Sequence, residues 1–348
     1  MLDSFSSLQL SLAGIGGLTL LAVVAYNYWT SRKNQPRQAE PMGESLGGDR
    51  SPLDSPEPQE PALTDDFAGL PQPERKAQID ALIDVIATVE VDQPVSGDAA
   101  LAALPATRRV GTKPFNVEGC SQLNGQWEAV LPGRRYSAFQ AGVQLANRMG
   151  ALNEIEFSEF VVKTQAFADA VNGTVTFSDM LEEVARAREL DQFASDHDAQ
   201  LSFTLCARAA AWSPGYIQQH ASRQGFVAGV IPGRMVLPSS VQGLPPVLSL
   251  TFDTQAAMAD DPALSAIREV TLSLDLPQIA REDMAFERLR QTASLLAKDM
   301  EGLVTDGAGN VLGEDVLDQI AQDLRQLYDA LDQRELSAGS PQARRLFS

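Results

Sequence analysis

The chain has 348 residues, 44% of them hydrophobic, and 27 Lys and Arg against 46 Asp and Glu give a net charge of -19. That acidic balance argues against a nucleic-acid partner and against soluble domains lying flat on an anionic membrane, and it suits a partner segment carrying Lys or Arg. Two cysteines, Cys120 and Cys206, with no Cys-x-x-Cys pair, signal neither a disulfide framework nor a cysteine-based zinc site.

After a short tail (1–7, expected outside), Leu8 to Trp29 runs 22 positions without a charge. A helix of that length spans roughly 33 Å, about the thickness of a bilayer's hydrocarbon core. Leu8, Leu12, Leu18, Leu21 and Val24 supply its apolar surface, and Trp29 closes it at the headgroup level. Arg32, Lys33 and Arg37 follow, whereas the N-terminal tail has only Asp3, so the N-terminus is expected outside and the bulk of the chain in the cytoplasm. A cleaved signal peptide would need basic residues before the apolar run and small residues after it, and both are missing. The expectation is a single transmembrane helix over 8–29. Ala13 and Gly17 make only a loose small-residue spacing, from which no helix pairing is inferred.

Residues 30–78 read as a disordered linker. Asn34 to Pro73 holds eight of the 20 prolines among Gly, Ser, Glu, Asp and Gln, too little apolar surface to offset chain entropy. As a flexible coil it would span roughly 35–40 Å.

From Ile79 the pattern becomes globular. Ile83–Val91 alternates as a strand, Ser96–Leu104 suits a short helix ended by Pro105, and Phe115–Ser121, Gln126–Leu131 and Tyr136–Asn147 read as strands. Ile155–Val171 carries helical periodicity that Gly173 ends; Thr174–Phe177 is a short strand and Asp179–Phe193 a second helix. The order then begins again: strand Leu201–Ala207, helix Pro214–Arg223, strands Gly233–Pro238, Val247–Thr254 and Thr271–Leu276, a short helix from Asp261-Pro262, and amphipathic helices Glu282–Met300 and Glu314–Asp332. The tail over 336–348 is expected to fray.

The two halves align as a repeat. A shift of 129 positions pairs Val143 with Leu272, Phe157 with Phe286, Phe167 with Leu296, Gly173 with Gly302 and Val175 with Val304. The fold class is therefore α+β: an N-terminal transmembrane helix, a disordered linker, and two tandem split β-α-β (ferredoxin-like) units over 79–198 and 199–335, each with one sheet face covered by helices and the other open.

Little in the sequence signals chemistry. His197 reads as solvated linker between the units and His220 as a cation at a helix end. Cys206 reads as core, and Cys120 stays undecided. The loop Gly307–Gly313 lacks the spacing of a phosphate-binding loop, and from Asp306 it lacks the central Gly and final Glu of a calcium loop. It reads as a turn before an acidic helix cap. No catalytic set, metal site or cofactor is assigned, and an enzyme is not expected.

The layout resembles the ZipA family of bacterial division proteins, which tether FtsZ to the membrane. The likeness is carried by Gly225-Phe226, Gly233–Leu237 (GRMVL), Val247–Leu250 (VLSL), Val270–Pro277 (VTLSLDLP), Gln291–Val304 (QTASLLAKDMEGLV) and Leu317–Leu331. It covers about 135 C-terminal residues, so the second unit is ZipA C-terminal-like and the whole chain a two-unit variant. The resemblance implies that the open sheet face receives the C-terminal tail of FtsZ as a short helix. Carried over strand by strand, that face would hold Met235, Leu237, Thr251, Asp253, Gln255, Thr271 and Ser273, with Leu250, Phe252, Leu272 and Leu274 under the helices. Here the chain departs from the family, which has large apolar groups where Asp253 and Ser273 stand. The first unit could supply the surface instead through Trp127, Leu131 and Gln144. The functional expectation is a non-enzymatic membrane tether at the inner face of the bacterial cytoplasmic membrane, at the division site. The alternative is a membrane-anchored sensor or scaffold binding a small molecule or another protein.

Overall fold

The computed structural model describes residues 36–39 and 79–348. Leu8, Leu12, Leu18, Leu21, Val24, Trp29, Arg32 and Lys33 lie outside the described residues. Among the described residues no helix is long and apolar enough to cross a membrane. The protein is a mixed α+β chain of two compact units. One joins residues 79–198 with Leu331–Ser348, and the other joins Ala199–Ala330 with residues 36–39.

The first unit begins with β1 (Asp84–Ser96), where Val85, Ala87 and Val89 alternate into the core. The Ser96 hydroxyl then accepts from the Ala99 N–H and caps α1 (Gly97–Ala103). Strands β2 (Arg109–Val110), β3 (Lys113–Ser121), β4 (Trp127–Ala129) and β5 (Arg135–Gln144) follow, then the small hairpin β6 (Ala146–Asn147) and β7 (Gly150–Ala151). Asn153 and Glu156 form a reciprocal capping box at the start of α2 (Glu154–Ala170). The unit continues through β8 (Gly173–Thr176) to α3 (Met180–His197), capped by Asp179. The sheet order is β2-β3-β5-β1-β8 with β4 also on β3, and every pair is antiparallel. Since β5 and β8 flank β1, they run parallel to each other with α2 crossing between them. Four phenylalanines lock that helix to the sheet: Phe115 meets Phe160 at 6.1 Å and Phe139 meets Phe167 at 5.3 Å, both edge to face.

The second unit runs β9 (Gln200–Ala207), α4 (Pro214–Arg223), β10 (Val227–Ala228), β11 (Arg234–Leu237), β12 (Leu248–Thr251), α5 (Thr254–Ala257), β13 (Glu269–Asp275), α6 (Ala285–Asp299), β14 (Gly302–Thr305) and α7 (Glu314–Gln333). Its sheet order is β10-β11-β12-β13-β9-β14, again antiparallel throughout. The run β12-β13-β9-β14 repeats the run β3-β5-β1-β8 of the first unit. The repeat extends to the corners after α2 and α6, where Asn172 (φ 54°) and Glu301 (φ 53°) take the left-handed conformation. Gly173 therefore does not end its helix. It begins β8, where a Cβ would stand 2.8 Å from the Glu90 carbonyl oxygen of the neighbouring strand.

Four expectations are corrected. The tail over 336–348 does not fray: it forms α8 (Pro341–Leu346), and Leu336, Leu346 and Phe347 are buried in the first unit. Within the 30–78 linker, residues 36–39 lie along the second unit, because Arg37 exchanges backbone hydrogen bonds with Ala211 (2.7 Å) and Ser213 (2.9 Å). His197 is the last residue of α3 rather than solvated linker, its ring stacked on Phe193 at 4.2 Å. Cys206 is half-buried on the face of β9 opposite Phe203 and Leu205, beside the Thr305 hydroxyl, and is not core.

Candidate functional site: the outer face of the second sheet

In the second unit the helices cover one face of the sheet. Met235, Leu250, Val270, Leu272, Leu274, Phe203 and Leu205 are buried there, against Phe286, Leu289, Ala293 and Leu296 of α6. Strand alternation places every second residue on the other face. Cross-strand register lines those residues into rungs: Val236–Ser249–Ser273–Ser202, and Arg234–Thr251–Thr271–Thr204–Thr305. Apart from Arg234 and Val236 at the β11 end, the floor consists of short hydroxyl side chains, mostly half-exposed.

The large apolar groups of this face come from loops. The turn between β10 and β11 carries Val230 and Ile231, and the loop after β11 carries Val241 and Leu244. Val230 is entirely exposed and Ile231 and Val241 are more than half exposed. Together with Val236, Pro238 and Pro246 they line a groove of about 650 Å³. Gly233, at φ 78°, closes the first turn where a Cβ would lie 2.7 Å from the Phe252 carbonyl oxygen. A second hollow of about 450 Å³ continues over Ser202, Ser249 and Ser273 and shares Arg234 and Pro246 with the first. The Arg234 guanidinium donates to the Ser249 hydroxyl at 3.3 Å, so its charge sits at the junction. An exposed apolar cleft rimmed by polar groups is the usual mark of a binding surface.

The residues singled out from sequence divide accordingly. Thr251, Thr271 and Ser273 lie on the outer face. Met235 and Leu237 do not: they pair with Leu250 and Leu248 on the helix-covered face, because β11 enters the sheet one residue out of the expected phase. Asp253 and Gln255 are off the sheet, since β12 ends at Thr251 and the Asp253 carboxylate caps α5 by accepting from the Gln255 N–H. Leu250, Phe252, Leu272 and Leu274 are buried as expected. Sequence reasoning missed Val230, Ile231, Val241 and Leu244. Their signal was a pair of apolar residues inside a Gly-bounded turn, Gly229–Gly233, where nothing local could bury them.

Part of the first unit's outer face is covered by the chain itself, while Thr88 and Thr176 at its β1–β8 end stay exposed. Ile79 lies over Gly142 of β5, with side-chain atoms 2.8–3.1 Å from where a Cβ would be. The Glu118 carboxylate is buried, accepting from the Ile79 N–H (3.1 Å) and the Gln140 side-chain amide (2.9 Å). Gln144 is not exposed, contrary to expectation: its amide donates to the carbonyls of Ala146 and Arg345. Trp127 pairs with Cys120 at the other end of the sheet, and Leu131 leaves the strand to donate its N–H to the Tyr136 hydroxyl, so the three form no common patch. Asp84 is buried, with Arg345 of the tail bonded to both its oxygens at 2.5 and 2.9 Å. Burial pushes its carboxyl above the usual range, and the Arg345 hydrogen bonds pull it back down.

The fold and this face define an α+β protein of two compact units, the second of which carries an open groove on its outer sheet face. Residues 255–323, from α5 into α7, match the family model of the ZipA C-terminal FtsZ-binding domain. That match supports the ZipA family for this chain, and it covers β13, a central strand in the floor of the candidate face. No curated protein matches the chain. Among solved structures, berberine bridge enzyme from Eschscholzia californica aligns at 10% identity over 75% of this chain, with a TM-score of 0.16. The chain spans about half (51%) of that protein's length. So low a score carries no argument about fold or chemistry.

Proposed function

We propose that this protein is a non-enzymatic membrane tether that binds the C-terminal tail of FtsZ through the groove of its second unit. The observation that carries this reading is the family match over 255–323, inside the unit whose sheet face is open. The two units are read as duplicated split β-α-β modules, of which the second kept its docking face. Binding is of the helix-in-groove kind: an amphipathic tail lays its apolar side on Val230, Ile231, Val236 and Leu244, each fully covered side chain contributing about 1.5–3 kcal/mol. Ser249, Ser273 and Arg234 meet polar groups of the tail. The span over 8–29 holds the chain at the inner face of the bacterial cytoplasmic membrane, and many tethers engaging one filament raise the effective affinity without new contacts.

The test is titration of a fluorescent FtsZ tail peptide with residues 36–348, against a scrambled peptide of the same composition. A specific dissociation constant on the order of 10 µM, about 7 kcal/mol, is expected. No binding at that concentration would remove the FtsZ reading. Localisation of a fluorescent fusion to midcell checks the cellular part independently.

A further inference from the structure

The segment at residues 36–39 stands seven residues beyond Trp29, and it is built into the second unit. Arg37 forms a parallel bridge with Trp212, which in turn pairs with Ile267. The Arg37 N–H donates to the Ala211 carbonyl and its carbonyl accepts from Ser213, so both backbone groups are used. Its guanidinium reaches the Glu301 carboxylate at the corner after α6. Pro36 is buried, and Trp212 beneath is fully buried with its indole N–H on the Met300 carbonyl. Ala39 faces the start of α4, 3.7 Å from where a Cβ on Gly215 would stand. Ser213, which donates to Arg37, is also the cap of α4, so the added strand is tied to the element that opens this unit's helical layer.

We propose that the second unit is docked, through residues 36–39, onto the chain directly after the anchor, so that the long acidic Pro-rich segment does not stand between this unit and the bilayer. The proposal rests on the anchor reading of 8–29. The seven residue steps from Trp29 to Pro36 span at most ~25 Å in any conformation, which places the groove-bearing unit close to the membrane. In consequence the tether presents its binding face close to the membrane.

The distance from Ala39 to Gly215 lies within the range a disulfide needs between Cβ atoms, about 3.5–4.5 Å. The experiment therefore uses the full chain in membranes, with Cys120 and Cys206 replaced by Ser, carrying Ala39→Cys and Gly215→Cys and a protease site inserted between residues 50 and 60. After oxidation and cleavage, the C-terminal product carrying both units is expected to remain with the membrane and to be released by reductant. Release under oxidising and reducing conditions alike overturns the proposal. A chain that fails to sediment with membranes before cleavage removes the anchor reading, and this proposal with it. A membrane-bound chain whose C-terminal product is freed despite oxidation removes only the present one.

Discussion

The two sheets share a strand order and a helix crossover, yet their outer faces have different fates. Every buried Asp, Glu or Lys among the described residues (Asp84, Lys113, Glu118, Glu156 and Glu183) belongs to the first unit. Each charge so placed must be satisfied by fixed partners, and the first unit supplies them from its own chain: Arg345 on Asp84, the Ile79 N–H and Gln140 on Glu118, and Thr112 on Lys113 and Glu156. The second unit buries none of these residue types. Its outer face carries rungs of Ser and Thr, which can stay half-wet at little cost, beside loop side chains that nothing in the unit covers. One copy of the architecture covers part of its outer face with its own chain, and the other leaves its rungs and loop side chains open.

The largest expected effect tests whether the tail belongs to the first unit's core. Phe347 is 1% exposed, and Phe347→Ala should destabilise that unit by about 3–5 kcal/mol. Hydrogen exchange resolved by unit should show the loss over 79–198 and leave 199–330 unchanged. Equal loosening of both units would mean that they do not fold separately.

Arg345→Ala leaves the buried Asp84 carboxylate without its counter-charge and should cost about 3 kcal/mol at neutral pH. The pH dependence has a definite sign. A carboxyl raised by burial favours the fold while protonated, and that contribution is lost as pH rises through its folded value. Removing Arg345 raises that value further. The gap between variant and parent should therefore be widest at about pH 8 and shrink toward pH 5 in thermal unfolding series. A gap that widens on acidification would show Asp84 to be held as an anion by other groups.

Gly142→Ala places a methyl against Ile79 and should cost about 1–3 kcal/mol in chemical denaturation. An unchanged midpoint would mean that Ile79 swings away freely and that this part of the first unit's face is open after all.

The second unit should show the reverse balance of fold and binding. Ile231 is more than half exposed, and Ile231→Asp should change stability by less than about 0.5 kcal/mol. Tail-peptide affinity should nonetheless fall by about tenfold, the worth of roughly one covered apolar side chain. In the opposite sense, Thr271→Val enlarges the apolar floor and should tighten binding by a few-fold at most. If Ile231→Asp binds normally while Thr271→Val abolishes binding, the tail sits on the strands and not in the loop-walled groove.

Much of this was legible from residues alone. Alternation in β1, β9 and β13 and the phenylalanine spacing of α2 are local, and each is fixed by neighbours within a turn of helix or a pair of strand residues. The internal repeat follows because the same local rules recur in the same order. The phase of β11 was not legible, since a four-residue strand after a Gly turn can enter with either face inward and only its pairing with Leu248 and Leu250 decides. Nor were the groove walls, because Val230 and Leu244 become neighbours only after two loops fold over one sheet edge.

What the sequence determined by itself is that there are two α+β units of one pattern, each strand having an apolar side and a polar side. What covers the polar side was decided only in three dimensions. Arg345 reaches Asp84 from 261 residues away and Arg37 reaches Glu301 from 264, whereas periodicity reports on a strand and its immediate neighbours. A side chain's alternation says which way it points; only the folded chain says whether water, its own tail or a partner is waiting there.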